Sequence, residues 1–386
     1  MTSLRTLASV PLGHWDAIRG ELRSLGRPGP RLVDELECVL SVLLAIVFAH
    51  ALGAQYVGWA AFSGYAVMRS RLSESMVRGA LRIVGTAAGA LVALLLAPAA
   101  IGSPLLLALT LALIGGTTLY FALVGRHSYA WLFTGLTCCM ILIEGMKVPA
   151  DPVTRFAQSR VVEIIAGTLA CILVSVASNL TVRRAIRQNG REVQTPAVML
   201  PYFRWHKGAA IHAAHAAMAL AVLPFIWQWT GFGSLSQTSV TIMAVMVLPL
   251  ATLEASALHP VTSRMLMRFA GCAVGGVLAI AVLFSSHHSP LLMTIALCVA
   301  VIVGRHVENG NSATSYIGIQ FALAFLVVLV PDNYMNAHPE PGVSRLTGIL
   351  LGVLVLEPIL LGWHLISGKA GADASIGIGA DDMPRE

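Results

Sequence analysis

The sequence predicts an all-α polytopic membrane protein with about twelve transmembrane helices, arranged as two parallel six-helix repeats. Apolar residues occupy 56% of the 386 positions and charged residues only 11%, and the mean hydropathy is +0.77. These values lie far outside the range of a water-soluble domain of this length. Apolar segments recur along the whole chain, and a motif of two arginines and two glycines occurs twice, which predicts the duplication.

Twelve apolar segments can be delimited, six on each side of a basic linker. They lie at 39–55, 56–68, 80–98, 104–124, 129–146 and 158–180, and then at 209–227, 236–253, 265–284, 290–304, 313–331 and 344–367. The predicted organisation is a cytoplasmic amino-terminal segment 1–37, a first membrane repeat 38–180, a basic cytoplasmic linker 181–207, a second membrane repeat 208–367 and a cytoplasmic tail 368–386.

The basic residues predict the orientation of the chain in the membrane. The first 35 residues have no apolar core of the signal-peptide type, so we expect the first span to remain as an anchor. With a cytoplasmic amino terminus, all 25 lysines and arginines lie on the inner side except Lys147, Arg155, Arg160 and Arg345. We therefore expect a multi-pass protein of the bacterial inner membrane with both termini in the cytoplasm. The net charge of +6 reflects this topology, and the dispersed arginines argue against a nucleic-acid partner.

The repeated motif reads RxxxRxxGxxxG, and its positions lie within roughly 40° of one line along a helix. Its two copies, 186 residues apart, are Arg78, Arg82, Gly85 and Gly89, and Arg264, Arg268, Gly271 and Gly275. The sequence VGRH and an arginine seven residues before a glycine also recur, in the same order. Because each copy holds an even number of spans, both copies face the same way, and tandem halves of this kind form a site at their interface. That architecture is typical of transporters.

The second span of each half is interrupted. "YVGWAAFSGYAVM" is short and contains Gly58 and Gly64, and its counterpart "VTIMAVMVLPLATLEA" contains Pro249. Interrupted segments at matching positions indicate a substrate site, because unwound backbone is tolerated where it lines a cavity. Candidate substrate-path residues on the first of these segments are Trp59, Ser63 and Tyr65. The alternative is that its aromatic residues belong to the interfacial belt.

Six arginines are further candidates for the substrate path. Arg78, Arg82, Arg264 and Arg268 either attract anions at the cytoplasmic mouths or anchor their helices by reaching to the lipid headgroups, beside glycines that allow close packing. Arg160 and Arg345 oppose the positive-inside trend, which favours a role at an exit mouth or in a buried ion pair.

Three acids are candidates for proton coupling. Glu163 lies three residues after Arg160, so it either forms an ion pair or carries a proton; its counterpart in the second half is Gly348. Glu144 and Glu254 are the other two candidates.

No catalytic, metal or cofactor site is expected. His212 and His215 lie three apart, with His206 nearby, which is compatible with a metal pair or a proton relay but lacks a third ligand set. Cytoplasm-facing or packed histidines are therefore the default. The six cysteines have no ligand spacing and read as packing residues. The sequence contains no nucleotide-binding motif of the form GxxxxGK[ST]. We therefore expect the proton gradient or the gradient of the substrate itself to supply the energy. An enzyme is not expected.

Four segments carry a resemblance to a known family: "GWAAFSGYAVM", "RGALRIVGTAAGALVALL", "SYAWLFTGLTCCMILI" and "RVVEIIAGTLACILVS". They resemble the fusaric acid resistance family, the aromatic acid exporters, and RxxGTxxG followed by RxxExxxG is the most specific part. The resemblance implies an inner-membrane efflux protein of the p-hydroxybenzoic acid efflux type. Similar proteins work with a periplasmic adaptor protein and sometimes an outer-membrane channel, and a plant branch conducts organic anions. The longer exporters carry a soluble domain where this chain has about 25 residues, Thr181 to Arg204, which leaves docking through such a domain in doubt.

The predicted function is a secondary transporter that exports aromatic or other weak organic acid anions, with proton coupling as the expected energy source. The alternatives are a passive organic-anion channel and a non-transporting membrane protein of envelope assembly. The expected partners are the organic acid and the lipid bilayer, and an adaptor, an outer-membrane channel and a homo-oligomer stay open.

Overall fold

The computed structural model describes residues 18–27, 29–147, 153–189, 205–253, 258–310, 314–333 and 337–378. Within these ranges all the regular structure is helical, which confirms the predicted all-α class. The main helices are α1 Pro30–Ala51, α2 Val57–Val67, α3 Leu72–Ala100, α4 Pro104–Val124, α5 Ser128–Lys147, α6 Val153–Leu180, α7 Val182–Asn189, α8 Lys207–Thr230, α9 Leu235–Met246, α10 Leu250–Leu253, α11 Leu258–Ser285, α12 Pro290–Glu308, α13 Ser315–Leu329 and α14 Glu340–Ile378.

Local sequence explains where several helices begin and end. α4 and α12 each begin with a proline, whose fixed φ and missing N–H suit the first turn. Ser103 caps α4 by accepting a hydrogen bond from the Leu106 N–H, and the His206 ring does the same for α8 from Ala209. α8 ends at Gly231, whose φ of +63° is left-handed and favours glycine.

In the described part of the chain, eight helices are long and apolar enough to cross a membrane, and the chain is a multi-pass membrane protein. They are Leu72–Ala100, Pro104–Val124, Ser128–Lys147, Val153–Ala185, Lys207–Thr230, Leu258–Ser285, Pro290–Glu308 and Glu340–Ile366. α9 and α13 are apolar but shorter. α1 has 22 residues, but Asp34, Glu35 and Glu37 occupy its first two turns and lower its hydropathy. The twelve spans and the two six-helix repeats stay predictions.

The helix ends gather at two ends of the bundle, which we call the linker end and the far end. The linker end, beside α7, is defined by contacts among Asp34, Met68, Arg183 and Arg305. The far end is defined by contacts between Tyr56 and Glu163, between Lys147 and Ser236, and between Ser234 and Ser344. The linker between the halves starts at the first of these ends.

The second helix of each half is short, in agreement with its interrupted sequence. α2 has 11 residues and α9 has 12. α2 is followed by extended backbone at Met68, and α9 by extended backbone at Val247, two residues before Pro249. The last carbonyl groups of both helices therefore have no hydrogen-bond partner within their own helix, and they need donors from other parts of the protein.

The motif glycines let α3 pack on α5, and α11 pack on α13. A methyl group at Gly85 would lie 2.5 Å from the Ala130 carbonyl oxygen, and one at Gly271 would lie 2.6 Å from that of Ile317. No side chain fits at these positions without moving the backbone of the neighbouring helix. Close packing by the motif glycines, which the sequence suggested, is thus present in both copies.

The first half, α1 to α7, and the second half, α8 to α14, contact each other mainly through three helix pairs, one of which is α5 with α9. α4 packs on α8, where Gly116 would bring a methyl group to 3.1 Å from the Ala217 Cβ. α12 packs on α1, where Arg305 and Asp34 form an ion pair of 2.7 Å. Both apolar cores of the protein contain residues from both halves, so the halves form one packed body.

Candidate substrate site

A cavity of about 250 Å³ opens at the far end, between the two halves. The first half supplies aromatic and charged groups from the start of α2, the end of α5 and the start of α6. The second half supplies mainly polar groups from the start of α9 and from Ser344 at the start of α14. The residues that line the cavity include Tyr56, Trp59, Glu144, Lys147, Phe156, Arg160, Ser234, Ser236 and Gln237. Two of the predicted substrate-path residues, Trp59 and Arg160, and one predicted proton-coupling residue, Glu144, therefore share this cavity.

Arg160 sits inside a cage of three aromatic rings. Its guanidinium carbon lies 4.8 Å from the centroid of Trp59, 4.9 Å from that of Tyr56 and 5.0 Å from that of Phe156. Ring faces attract a cation, and the attraction grows when water is excluded. The side chain is 2% exposed, so the rings and one carboxylate replace the water it has lost.

That carboxylate belongs to Glu163, whose Oε2 lies 2.5 Å from Arg160 Nη2. Glu163 Oε1 accepts hydrogen bonds from the Tyr56 N–H at 3.1 Å and from the Ser159 hydroxyl. Apart from the ion-pair contact, the three guanidinium nitrogens of Arg160 have no hydrogen-bond partner among the described residues. The arginine therefore keeps donors for an additional acceptor.

A second charged pair lies across the cavity. Lys147 Nζ donates to Glu144 Oε1 at 2.8 Å and to the Ser236 hydroxyl oxygen at 3.0 Å, and the Ser236 hydroxyl donates to Glu144. Ser236 is in the first turn of α9, so this pair joins α5 of the first half to α9 of the second. The cavity wall thus contains two cations, each held by one acid.

The far-side ends of α2 and α9 are capped differently. The Val57 N–H at the start of α2 donates to Asp332 Oδ1 at 2.9 Å. Burial raises the pKa of Asp332, although the Val57 N–H and the charge of Arg160 act in the opposite direction. At the start of α9, Ser234 accepts from the Ser344 hydroxyl at 3.0 Å, and Gly348 stands where α6 has Glu163. The acid next to Arg160 has no equivalent in the second half, as the sequence indicated.

The motif arginines do not line this cavity. Arg82 is 1% exposed, and it donates to the Ser63 hydroxyl at 3.1 Å and to the Tyr129 hydroxyl at 3.0 Å. Arg78 donates to the Ala66 carbonyl at the linker-side end of α2 and lies 4.1 Å from the Tyr129 ring centroid. The two arginines join the short helix α2 to α5.

The second copy of the motif repeats this arrangement. Arg268 donates to the Thr241 hydroxyl at 3.3 Å and to the Tyr316 hydroxyl at 3.3 Å. Arg264 donates to the Val247 carbonyl and lies 5.6 Å from the Tyr316 ring centroid. We call each set of two arginines, hydroxyl and tyrosine an arginine clamp. The burial of Arg82 and Arg268 contradicts the idea that these side chains reach to the lipid headgroups.

Comparison with protein-family models gives one match in each half of the chain. The model of the fusaric acid resistance protein family matches residues 36–201, and the model described as fusaric acid resistance protein-like matches residues 250–356. The chain belongs to the fusaric acid resistance family. No curated protein and no solved structure matches it. Family membership and the apolar helices together indicate a membrane transporter.

Other predicted site residues of this fusaric acid resistance family protein lie outside the cavity. Arg345 is buried, and it donates to Gln320 Oε1 at 3.0 Å and to Cys272 Sγ at 3.3 Å. Ser63 belongs to the first arginine clamp, and the Tyr65 hydroxyl donates to Glu308 at the linker end, 2.8 Å away. The cavity therefore gathers only part of the predicted path.

The remaining predictions concern histidines, cysteines and one acid. His212 Nε2 lies 2.9 Å from the Met246 carbonyl, and the His215 ring lies 5.3 Å from that of Trp363, so both are packed. Among the described residues no group of three metal-binding side chains occurs, and the six cysteines are free thiols. Glu254 lies outside the described residues.

The sequence reasoning missed a set of buried and half-buried charges at the linker end, which we call the linker-end cluster. Its members are Glu21, Arg31, Asp34, Glu35, Glu37, Arg69, Arg183, Arg305, His306 and Glu308. Two signals were present in the sequence: the acids of "DELE" at the start of the first apolar segment, and the second VGRH. The acids were assigned to a cytoplasmic segment and VGRH was used only as a repeat marker, because sequence spacing does not show that α1 and α12 meet.

Proposed function

We propose that this protein is a secondary transporter that exports aromatic or other weak organic acid anions, and that the far-end cavity binds the anion. The observation that carries the proposal is Arg160: a buried cation with unused donors, enclosed by three aromatic rings. A carboxylate accepts hydrogen bonds from a guanidinium in a well-defined planar geometry. An aromatic ring attached to that carboxylate would lie against Trp59 and Phe156.

The size of the cavity favours a small acid. Sites for drug-sized ligands measure roughly 300–1,000 Å³, and this cavity measures about 250 Å³. Lys147 supplies a second cation within the same wall. A single-ring carboxylic acid combines the charge, the ring and the size that these groups suit.

Equivalent contacts in the two halves support the proposed parallel repeats. The two arginine clamps use the same residue types and the same helices of each half. The halves also meet reciprocally. The fourth helix of the first half, α4, packs on the first helix of the second, α8; when the four-residue α10 is left out, the fourth helix of the second half, α12, packs on the first helix of the first, α1. Such reciprocity is typical of a two-fold arrangement. With six spans in each half, its axis would run along the membrane normal, and the cavity would lie beside it.

The proposed cycle starts from the conformation described above. At the linker end, ion pairs join α1 to α12 and close the interface between the halves, whereas the cavity opens at the far end. We assign this conformation to the state that releases the anion outside. Glu163 competes with the anion for Arg160, which keeps the affinity moderate and permits release.

Glu163 and Glu144 are less suited to carry the coupling proton than the sequence suggested. A proton on Glu163 would free Arg160 for the anion, so proton and anion would bind together. Export in exchange for protons requires the two to exclude each other. We therefore propose that these two acids tune anion affinity, and that the coupling proton binds elsewhere.

The experiment is export of a radiolabelled aromatic carboxylate such as 4-hydroxybenzoate from proteoliposomes that contain the full chain. Arg160→Gln should lower the export rate about tenfold or more, because it removes a charged hydrogen-bond donor from the bound anion. Arg345→Gln is the matched control, because Arg345 is the counterpart of Arg160 in the second half and lies outside the cavity. This variant should leave the export rate per folded protein unchanged. Equal losses in both variants would contradict the site, and export that persists without a proton gradient would indicate a channel.

A further inference from the structure

His306 and Glu35 meet at the linker end, one from each half of the protein. His306 lies near the end of α12 and Glu35 in the second turn of α1, and both are almost completely buried. Glu35 Oε1 lies 2.6 Å from His306 Nδ1. The contact therefore joins the two halves directly.

The hydrogen bonds around His306 require a proton in addition to those of a neutral histidine and an ionised acid. The Ser24 hydroxyl donates to the Glu21 carbonyl at 2.7 Å, so its oxygen accepts from His306 Nε2 at 2.9 Å. The Glu21 carbonyl, 3.0 Å from Nε2, is also only an acceptor. Nε2 must therefore carry a hydrogen. In the neutral ring Nδ1 then has none, and it cannot bond to an ionised carboxylate.

Two arrangements satisfy this contact, and both contain one more proton. Either the ring is an imidazolium that donates from Nδ1 to the carboxylate, or Glu35 is protonated and donates to Nδ1. The numbers of acids and arginines in the linker-end cluster also indicate one added proton. Its described acids are Glu21, Asp34, Glu35, Glu37 and Glu308, and its described arginines are Arg31, Arg69, Arg183 and Arg305. Five acids face four arginines, and one proton on the pair balances the charge.

We propose that His306 and Glu35 form a proton-binding site that latches the two halves together at the linker end. Loss of this proton leaves an unbalanced charge in a buried interface, which costs free energy. Opening the linker end separates α1 from α12 and lets water replace the contact. Closing is thus linked to uptake of one proton and opening to its release.

The charged groups around the pair differ in which state they favour. Arg31 Nε lies 4.0 Å from Glu35 Oε1 and favours an ionised carboxylate. Arg305, next to His306 in the chain, forms ion pairs with Asp34 at 2.7 Å and with Glu308 at 3.0 Å. Glu37 is held by Arg183. Oε2 of Glu35 has no hydrogen-bond partner among the described residues, so the His306 proton is its main stabilising contact.

Among the described residues the site occurs once. His127, the histidine of the first VGRH, is exposed, whereas His306 is 3% exposed. Export in exchange for protons needs two half-steps, which are release of a proton on the linker side as that end opens and its replacement from the far side. The latch supplies the first of these half-steps, and this last consequence rests on the proposed function. The latch itself does not depend on the substrate.

The first test measures the Tm of the purified full chain in detergent between about pH 5.5 and pH 8.5, the range in which a free histidine titrates. The hydrogen bonds of the closed pair need this proton, so the stability that the contact contributes is present at low pH and is lost when the proton leaves at higher pH. Wild type and the control His127→Gln should show this fall, and His306→Gln and Glu35→Gln should flatten it. Two variants are used because one may not fold. An unchanged slope in the variants that fold would overturn the proposal.

The second test separates coupling from transport. In proteoliposomes, His306→Gln should reduce export driven by a pH gradient about tenfold and leave exchange of internal for external acid within about twofold of wild type. An equal loss of both would overturn the coupling role. If the wild type moves no acid in either assay, the proposed function is wrong. The pH dependence of the Tm then still tests whether His306 and Glu35 form the proton-binding latch.

Discussion

Five arginines in the described part of the chain are almost fully buried, and their partners differ. They are Arg82, Arg160, Arg268, Arg305 and Arg345. A buried charge costs several kcal/mol unless hydrogen bonds or opposite charges compensate for it. Hydroxyls compensate Arg82 and Arg268, and aromatic ring faces also contact Arg82. Acids compensate Arg160 and Arg305, and an amide and a thiol compensate Arg345. Only Arg160 combines spare donors with a cavity.

Replacement of Arg82 tests the arginine clamp. Arg82→Gln would leave the hydroxyls of Ser63 and Tyr129 without their buried donor, so the free energy of unfolding should fall by about 2 kcal/mol. The change is measured by denaturant titration of the purified protein in detergent. Arg126→Gln, at an exposed arginine of the same half, is the control and should change it by less than about 0.5 kcal/mol. Equal stability of the two variants would contradict the clamp.

The sequence identified candidate side chains but not the partners that they contact. Arg82 and Arg160 were both identified as candidates from their repetition. Ser63 and Tyr129, which hold Arg82, lie 19 and 47 residues away, and helical spacing carries no information over such distances. Burial of Glu35 and His306 was missed for the same reason, since 271 residues separate them.

At the scale of helices, the RxxxRxxGxxxG motif performs two tasks on one face. The glycines bring α3 onto α5 and α11 onto α13, and the arginines hold the short second helices against the same pairs. The arginine donors satisfy carbonyl groups that the short helices leave unpaired at their linker-side ends. An interrupted helix in a membrane protein needs such partners, because lipid supplies none.

Adjacent glycines in α11 offer a matched pair of substitutions. A methyl group at Gly275 would lie 2.6 Å from the Phe321 carbonyl oxygen, whereas the nearest atom to one at Gly276 is 3.6 Å away. Gly275→Ala should therefore destabilise the protein by about 1–3 kcal/mol through overpacking. Gly276→Ala should be neutral or slightly stabilising, since alanine favours the helix. Unfolding in detergent measures both, and a neutral Gly275→Ala would contradict the close approach of α11 and α13.

The helices themselves were predictable because the signals that define them are local. Proline starts, the Gly231 end and the long apolar runs are all properties of neighbouring residues. α2 and α9 were recognised as interrupted from Gly58, Gly64 and Pro249. Asp34, Glu35 and Glu37, which the sequence placed in a cytoplasmic segment, lie buried inside α1, which begins at Pro30. The side of the membrane on which they lie stays a prediction.

At the scale of the whole molecule, the two halves have become different. Both halves keep an arginine clamp and glycine packing, but among the described residues only the first half has an aromatic cage with an acid at its far end. The linker-end contact between α1 and α12 contains the His306–Glu35 pair, whereas the contact between α4 and α8 is apolar around Gly115 and Leu220. We infer that common elements hold the fold and that the unequal ones carry substrate and proton.

The cavity between the halves is the central claim, and equilibrium binding tests it most directly. Isothermal titration of the purified full chain with 4-hydroxybenzoate should show one site per chain in wild type. Arg160→Gln should weaken the affinity by about thirtyfold, the cost of a lost hydrogen bond to a charged group, and Arg345→Gln should bind as wild type does. Equal affinity of the wild type and Arg160→Gln would contradict the account.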